Sequence, residues 1–154
     1  MAPDDAHRRS TSEVKALPFT AHGKVDIWAE GDLHLYEATG PFNKELVDGL
    51  ALAQASFLQH LQPVTPWVSI CIVKSSALST PEGVQRYGEL IRQAPERFTP
   101  AATAFVIGPD IEGGRLMAPR FARIFEEAGR PFATFETLDE ARRWARSRLD
   151  GNSA

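Results

Sequence analysis

Trp67-Val68-Ser69-Ile70-Cys71-Ile72-Val73 is the stretch whose reading decides the fold. Its β-branched residues run together without clean alternation, the pattern of a strand covered on both faces, so it reads as the central strand of a sheet. Toward the N-terminus, Asn43 can cap a helix whose apolar face is Leu46, Leu50, Ala53, Phe57 and Leu61, flanked by Val47 and Leu58 and ended before Pro63. Before that helix the period changes to two. Val25, Ile27 and Ala29 alternate with Lys24, Asp26, Trp28 and Glu30, and Leu33 and Leu35 alternate with His34 and Tyr36. These are two strands, and Gly31-Asp32 between them suits a tight turn with glycine at positive φ in its first central position.

After the central strand one unit repeats. Thr80, with Pro81 at the first helical position, starts a helix carrying Val84, Tyr87, Leu90, Ile91 and Ala94, stopped at Pro95. Residues 102–107 form the next apolar strand, broken by Gly108-Pro109. A helix with Phe121, Ile124, Phe125 and Ala128 on one face follows, with Pro119 near its start and Gly129 closing it. A short strand over 131–135 leads to Thr137-Leu138-Asp139-Glu140, a capping box, and a last helix burying Leu138, Ala141, Trp144, Ala145 and Leu149. Strands and helices alternate strictly after the opening hairpin. The expectation is an α/β fold: about five strands, mostly parallel, with an N-terminal antiparallel hairpin and about four helices on both faces. The reading divides the chain into a flexible N-terminal tail over 1–22, one domain over 23–150 and a C-terminal tail over 151–154.

The 154 residues are one domain's worth, and 43% apolar with 24% charged composition excludes disordered and low-complexity classes. No apolar run approaches the ~20 residues that span a bilayer, and the first residues lack a basic region leading into an apolar one, so neither membrane insertion nor secretion is expected. A single cysteine, Cys71, fits a reducing cytoplasm. A net charge of −3 argues against nucleic acid as a partner.

Open α/β sheets bind ligands beyond the carboxyl ends of their strands. The loops on that rim are 39–43, 74–80, 108–115 and 136–137, and the residues with chemistry to offer there are Asn43, Lys74, Ser75, Ser76, Thr80 and Asp110. Asn43, Thr80 and Thr137 also read simply as helix caps, and the serines as turn residues. Serine chemistry needs a base, and none of His7, His22, His34 and His60 falls in a triad context, which leaves a Ser-dependent hydrolase as a minor alternative. No two histidines have metal-ligand spacing, and there is neither a phosphate loop nor a dinucleotide fingerprint, so no metal or cofactor is expected.

Gly31-Asp32-Leu33-His34, Gly40-Pro41-Phe42-Asn43, the strand from Trp67 to Val73 and the ending Phe135-Glu136-Thr137-Leu138-Asp139-Glu140-Ala141-Arg142-Arg143-Trp144, in this order of elements, resemble the SpoIIAA-like family of STAS-related domains over residues 24–149. The resemblance implies a helix-flanked sheet shared with anti-sigma-factor antagonists and CRAL-TRIO-type lipid carriers, and a non-catalytic binding or regulatory module acting through the rim loops. It carries the antagonists' phosphorylated serine to Ser75 or Ser76. The aspartate that antagonists place before that serine is replaced by Lys74 before Ser75, and by Ser75 before Ser76. The lipid-carrier side of the resemblance implies instead a small apolar, lipid-like ligand, in a cavity lined by Phe42, Phe57, Tyr87, Phe121 and Phe125. The expected partners are thus a protein or a small apolar ligand, together with a second copy of the chain through a helix face, since Lys24, Asp26, Glu30 and Asp32 protect the hairpin edge.

Overall fold

A computed structural model describes residues 8–13 and 22–153 of the chain. In chain order the elements are β1 (Arg9–Ser10), β2 (Lys24–Glu30), β3 (Leu33–Thr39), α1 (Lys44–Leu61), β4 (Val68–Lys74), α2 (Pro81–Gln93), β5 (Ala102–Val106), α3 (Gly114–Glu127), β6 (Phe132–Phe135) and α4 (Leu138–Ser153). They build the expected α/β fold, with β1, β2 and β3 antiparallel and β3 through β6 parallel. The Gly31-Asp32 turn joins Glu30 to its partner Leu33, with Gly31 at φ 58°.

Two boundaries differ from the sequence reading. Arg9 and Ser10, inside the stretch read as a tail, pair with Ile27 and Asp26 and add a sixth strand. Thr11 follows them into the structure, its hydroxyl accepting from the Val25 backbone N–H at 3.0 Å. Two residues are too few to carry a periodic signal, and hydroxyls rather than apolar surface dock this segment. The rest of that stretch lies outside the described residues. At the other end, residues 151–153 continue α4 instead of forming a tail.

The strands lie side by side in their order along the chain. Every parallel crossover therefore advances in the same direction, and crossovers of one hand place α1, α2 and α3 on the same face. Cys71 and Val73 of β4 meet that three-helix layer, whereas Val68, Ile70 and Ile72 point the opposite way, toward α4. Ala141 and Ala145, both fully enclosed, let α4 sit close against β4, β5 and β6. Helices do cover both faces, but three against one. Among the described strands, the reversal in order that opens a crevice in doubly wound sheets is missing.

The caps form as their residue types dictate. Asn43 Oδ1 accepts from Leu46 N, Thr80 Oγ1 from Gly83 N, and Thr137 Oγ1 from Glu140 N while donating to the Glu140 carboxylate. α3 begins at Gly114, so Pro119 lies inside the helix rather than near its start. Met117 N–H already bonds Gly113 O by then, and Pro119 removes one further bond of the ladder. The far end of α3 closes with Gly129 at φ 69°, whose N–H bonds Glu126 O while Arg130 N–H bonds Phe125 O. This is a Schellman closure, and it fixes the direction in which Arg130 leaves the helix.

Candidate functional site

Three of the four rim loops are knitted together through their backbones. Gly40 N–H bonds Lys74 O, Phe42 N–H bonds Leu78 O, and Thr80 N–H returns to Phe42 O. Glu112 N–H bonds Ser75 O, and Ala77 N–H bonds Glu112 O. Gly40 approaches so closely that a Cβ there would lie 1.9 Å from Ser76 O. Backbone seals these loops where a crevice was expected.

The six predicted rim residues divide accordingly. Asn43 is buried, its Oδ1 taken by Leu46 N and by His22 N, each at 2.9 Å. Ser76 is 3% exposed, and its hydroxyl accepts from Leu78 N–H at 3.1 Å. Thr80 is exposed and serves as the cap of α2. Lys74, Ser75 and Asp110 are exposed, with Ser75 held at φ 65°. The loop at 136–137 stands apart and faces 108–115 across a surface hollow of about 390 Å³ walled by Gly108, Arg115, Glu136 and Glu140.

The base that serine chemistry requires is not assembled at these serines. Among the described residues no hydrogen bond joins a histidine ring to a serine hydroxyl: His60 Nδ1 meets the Ser56 carbonyl, and His34 lies buried at the opposite end of the sheet. His7 lies outside the described residues. No group of three or more acidic, histidine or cysteine side chains among the described residues is arranged to hold a metal ion.

A second, smaller space lies inside the fold. Between the sheet and α1, α2 and α3 lies an apolar cavity of about 110 Å³. Its origin is a mismatch of side-chain size. The sheet offers the small Ser69, Cys71 and Thr103 at its centre, while Tyr36, Tyr87, Phe105, Phe121 and Phe125 stand around them. Cys71 and Tyr87, both partly buried, line the cavity. Of the five aromatics expected to line such a space, Phe42, Tyr87, Phe121 and Phe125 do so. Phe57 instead packs edge-on against His34, with centroids 5.3 Å apart.

Burial sets the chemistry of this wall. It pushes the Cys71 thiol up to about 12 and raises the Tyr36 and Tyr87 hydroxyls above their ordinary range, so all three stay neutral at physiological pH. They are weak, uncharged polar groups in an otherwise apolar surface, suited to orienting a ligand and not to attacking one. Burial also lowers the Arg130 guanidinium, which lines the cavity at the end where the parallel strands begin.

Ser69, Thr103 and Arg130 are wall residues that reasoning from the sequence missed. The signal for the first two is present: alternation in β4 places Ser69 on the face of Cys71 and Val73, and in β5 places Thr103 on the face of Phe105. No local pattern joins Arg130 to them, because the end of α3 meets them only in space. Comparison of the chain with protein-family models, with characterised proteins and with solved structures finds no match. The likeness to STAS-related domains rests on the order of elements and the quoted residues alone.

Proposed function

We propose that this domain is a non-catalytic binding module that holds a small apolar ligand in the cavity between the sheet and α1, α2 and α3. The cavity carries the reading: about 110 Å³ of space faced by seven aromatic rings and by neutral polar groups. Dry apolar cavities of about 150 Å³ take up benzene, so the apolar body that fits here is no larger than about that. The test is thermal melting in the presence of benzene or 1-hexanol. Both raise Tm in the wild type, because a ligand bound at about 100 times its Kd stabilises the fold by about 2.7 kcal/mol. Cys71→Leu, which fills the space, abolishes the rise. A wild-type Tm indifferent to saturating benzene and 1-hexanol would reject the reading.

A second reading keeps the regulatory side of the STAS-like resemblance, with a protein partner at the rim. The hollow of about 390 Å³ between Arg115 and the carboxylates of Glu136 and Glu140 favours it. Charge reversal at Arg115 and Glu136 is then expected to prevent a protein from co-purifying from the cells that make this chain, with Tm unchanged. Self-association is proposed on Leu52 of α1 and Leu116 of α3, which are 53% and 54% exposed. One subunit's mass in light scattering at high micromolar concentration would count against it. Among the described residues, no helix is long and apolar enough to cross a membrane.

A further inference from the structure

We propose that the cavity's ligand is a small apolar monocarboxylate whose carboxylate pairs with Arg130. The proposal rests on the cavity reading above and adds the chemistry of the ligand's head. Arg130 is half-buried and lines the same cavity as Tyr87, Phe125 and Thr103. Its side chain makes no salt bridge or hydrogen bond among the described residues, and in the last turn of α3 Glu127 is bonded to Arg123 at 2.9 Å instead. A guanidinium partly screened from water on an apolar wall, with no protein partner among the described residues, is placed to pair with a ligand's charge, and the planar fork of arginine matches a carboxylate with two parallel bonds.

The position of Arg130 is set by the fold. The Gly129 closure of α3 turns the chain, the Arg130 N–H bonds Phe125 O, and the residue is delivered to the cavity wall. The negative end of α3 would attract a cation equally well in open solvent, so it gives no reason for one on an apolar wall. Gln54, Ala94, Phe98 and Pro100, all partly exposed, line the cavity as well. Pro100 precedes β5 and Arg130 precedes β6, which puts both where the parallel strands begin. The ligand lies with its apolar body among Tyr87, Phe105 and Phe121 and its carboxylate at this end. Tyr87, uncharged and facing the cavity, adds a polar wall without competing for the charge.

The experiment titrates the full chain with hexanoate and with 1-hexanol, which share a chain and differ in the head, using calorimetry and backbone amide NMR shifts. Hexanoate is expected to bind the wild type at least tenfold tighter than 1-hexanol. Arg130→Gln is expected to weaken hexanoate at least tenfold and to leave 1-hexanol within twofold. Arg130→Lys keeps the stem and the charge, and retains a preference for hexanoate even if the glutamine variant folds poorly. Equal affinities for the two probes in the wild type, or a Lys variant that binds them equally, would overturn the carboxylate assignment while leaving the cavity reading intact. Binding of neither probe would overturn both.

Discussion

The imidazole of His34 stacks on the indole of Trp67, with ring centroids 5.0 Å apart and planes 19° from parallel, while Phe57 meets it edge-on. His34 is 1% exposed and its Nδ1 has no hydrogen-bond partner. Withdrawal from water pulls its pKa down to about 4, and the charge of Asp32 opposes that only in part. The ring is therefore a neutral member of an aromatic stack at the end of the sheet opposite the rim loops.

This sets a pH dependence with a definite sign. The unfolded chain binds a proton at His34 near pH 6.5, and the folded chain resists it until about pH 4. Stability is fully present above 6.5 and falls as pH is lowered through that window, by about 3 kcal/mol in total. Urea denaturation at pH 7.0 and pH 4.5 measures it. His34→Leu is expected to flatten the difference between the two, and an unchanged pH slope in that variant would place the titration elsewhere.

Gly40 and Gly31 separate two reasons for glycine. A Cβ on Gly40 would lie 1.9 Å from Ser76 O, whereas Gly31, at φ 58°, has nothing within 4 Å of its Cβ position. Gly40→Ala must push β3 and the 74–80 loop apart, and about 3 kcal/mol of lost stability is expected. Gly31→Ala meets only the backbone strain of the left-handed region, about 1 kcal/mol. Chemical denaturation of both variants checks the order, and a Gly31 variant that loses more than the Gly40 variant would contradict it.

Trp144 tests the seat of α4. Its side chain is half-buried, 5.7 Å from the Phe135 ring and overlaid by the Arg148 guanidinium, while Ala141 and Ala145 make the closest approach to the sheet. Trp144→Ala therefore costs about 2 kcal/mol, less than the ~3–5 kcal/mol of a fully enclosed aromatic such as Phe125. Equal losses for Trp144→Ala and Phe125→Ala in urea would show that α4 sits deeper than the alanines imply.

What the sequence could reveal followed from local physics. The β-branched run around Ile70, the caps Asn43, Thr80 and Thr137, and the positive φ of Gly31 each depend on a few adjacent residues, and each forms as expected. The pairing of Arg9 with Ile27 escaped because two residues carry no period. Spatial order of strands escaped for another reason. Nothing in β4 or β5 says whether the next strand joins the left or the right edge, and that choice put three helices on one face and left the rim without a reversal point. The cavity wall was half legible: the aromatics Tyr87, Phe121 and Phe125 were visible at helical spacing, but the hollow arises from Ser69 and Thr103 opposite them, and its cation from just beyond the end of α3.

The loop after β4 gives the last prediction, because Ser75 and Ser76 are neighbours in opposite circumstances. Ser75 is exposed and held at φ 65°, where a side chain strains the backbone and glycine does not. Ser75→Gly is expected to raise stability by up to about 1 kcal/mol, and Ser75→Val to lower it by more than that through β-branching. Ser76 is buried, and its hydroxyl is the partner of the Leu78 N–H at 3.1 Å. Removing it in Ser76→Ala leaves that N–H without its acceptor, so a loss of about 1–2 kcal/mol is expected. The same burial bears on modification. A phosphate on Ser76 would have to break the Leu78 bond and enter the contact of Gly40 with the Ser76 carbonyl, so a kinase meets this hydroxyl only after the loop opens, whereas the Ser75 hydroxyl is open beside Lys74. Incubation of the folded chain with a promiscuous serine kinase, followed by mass spectrometry, is expected to label Ser75 before Ser76, and Gly40→Ala, which opens the loop, to speed labelling at Ser76. Equal labelling of the two serines in the wild type would show that the loop opens readily and that the Ser76 bond to Leu78 does not hold it.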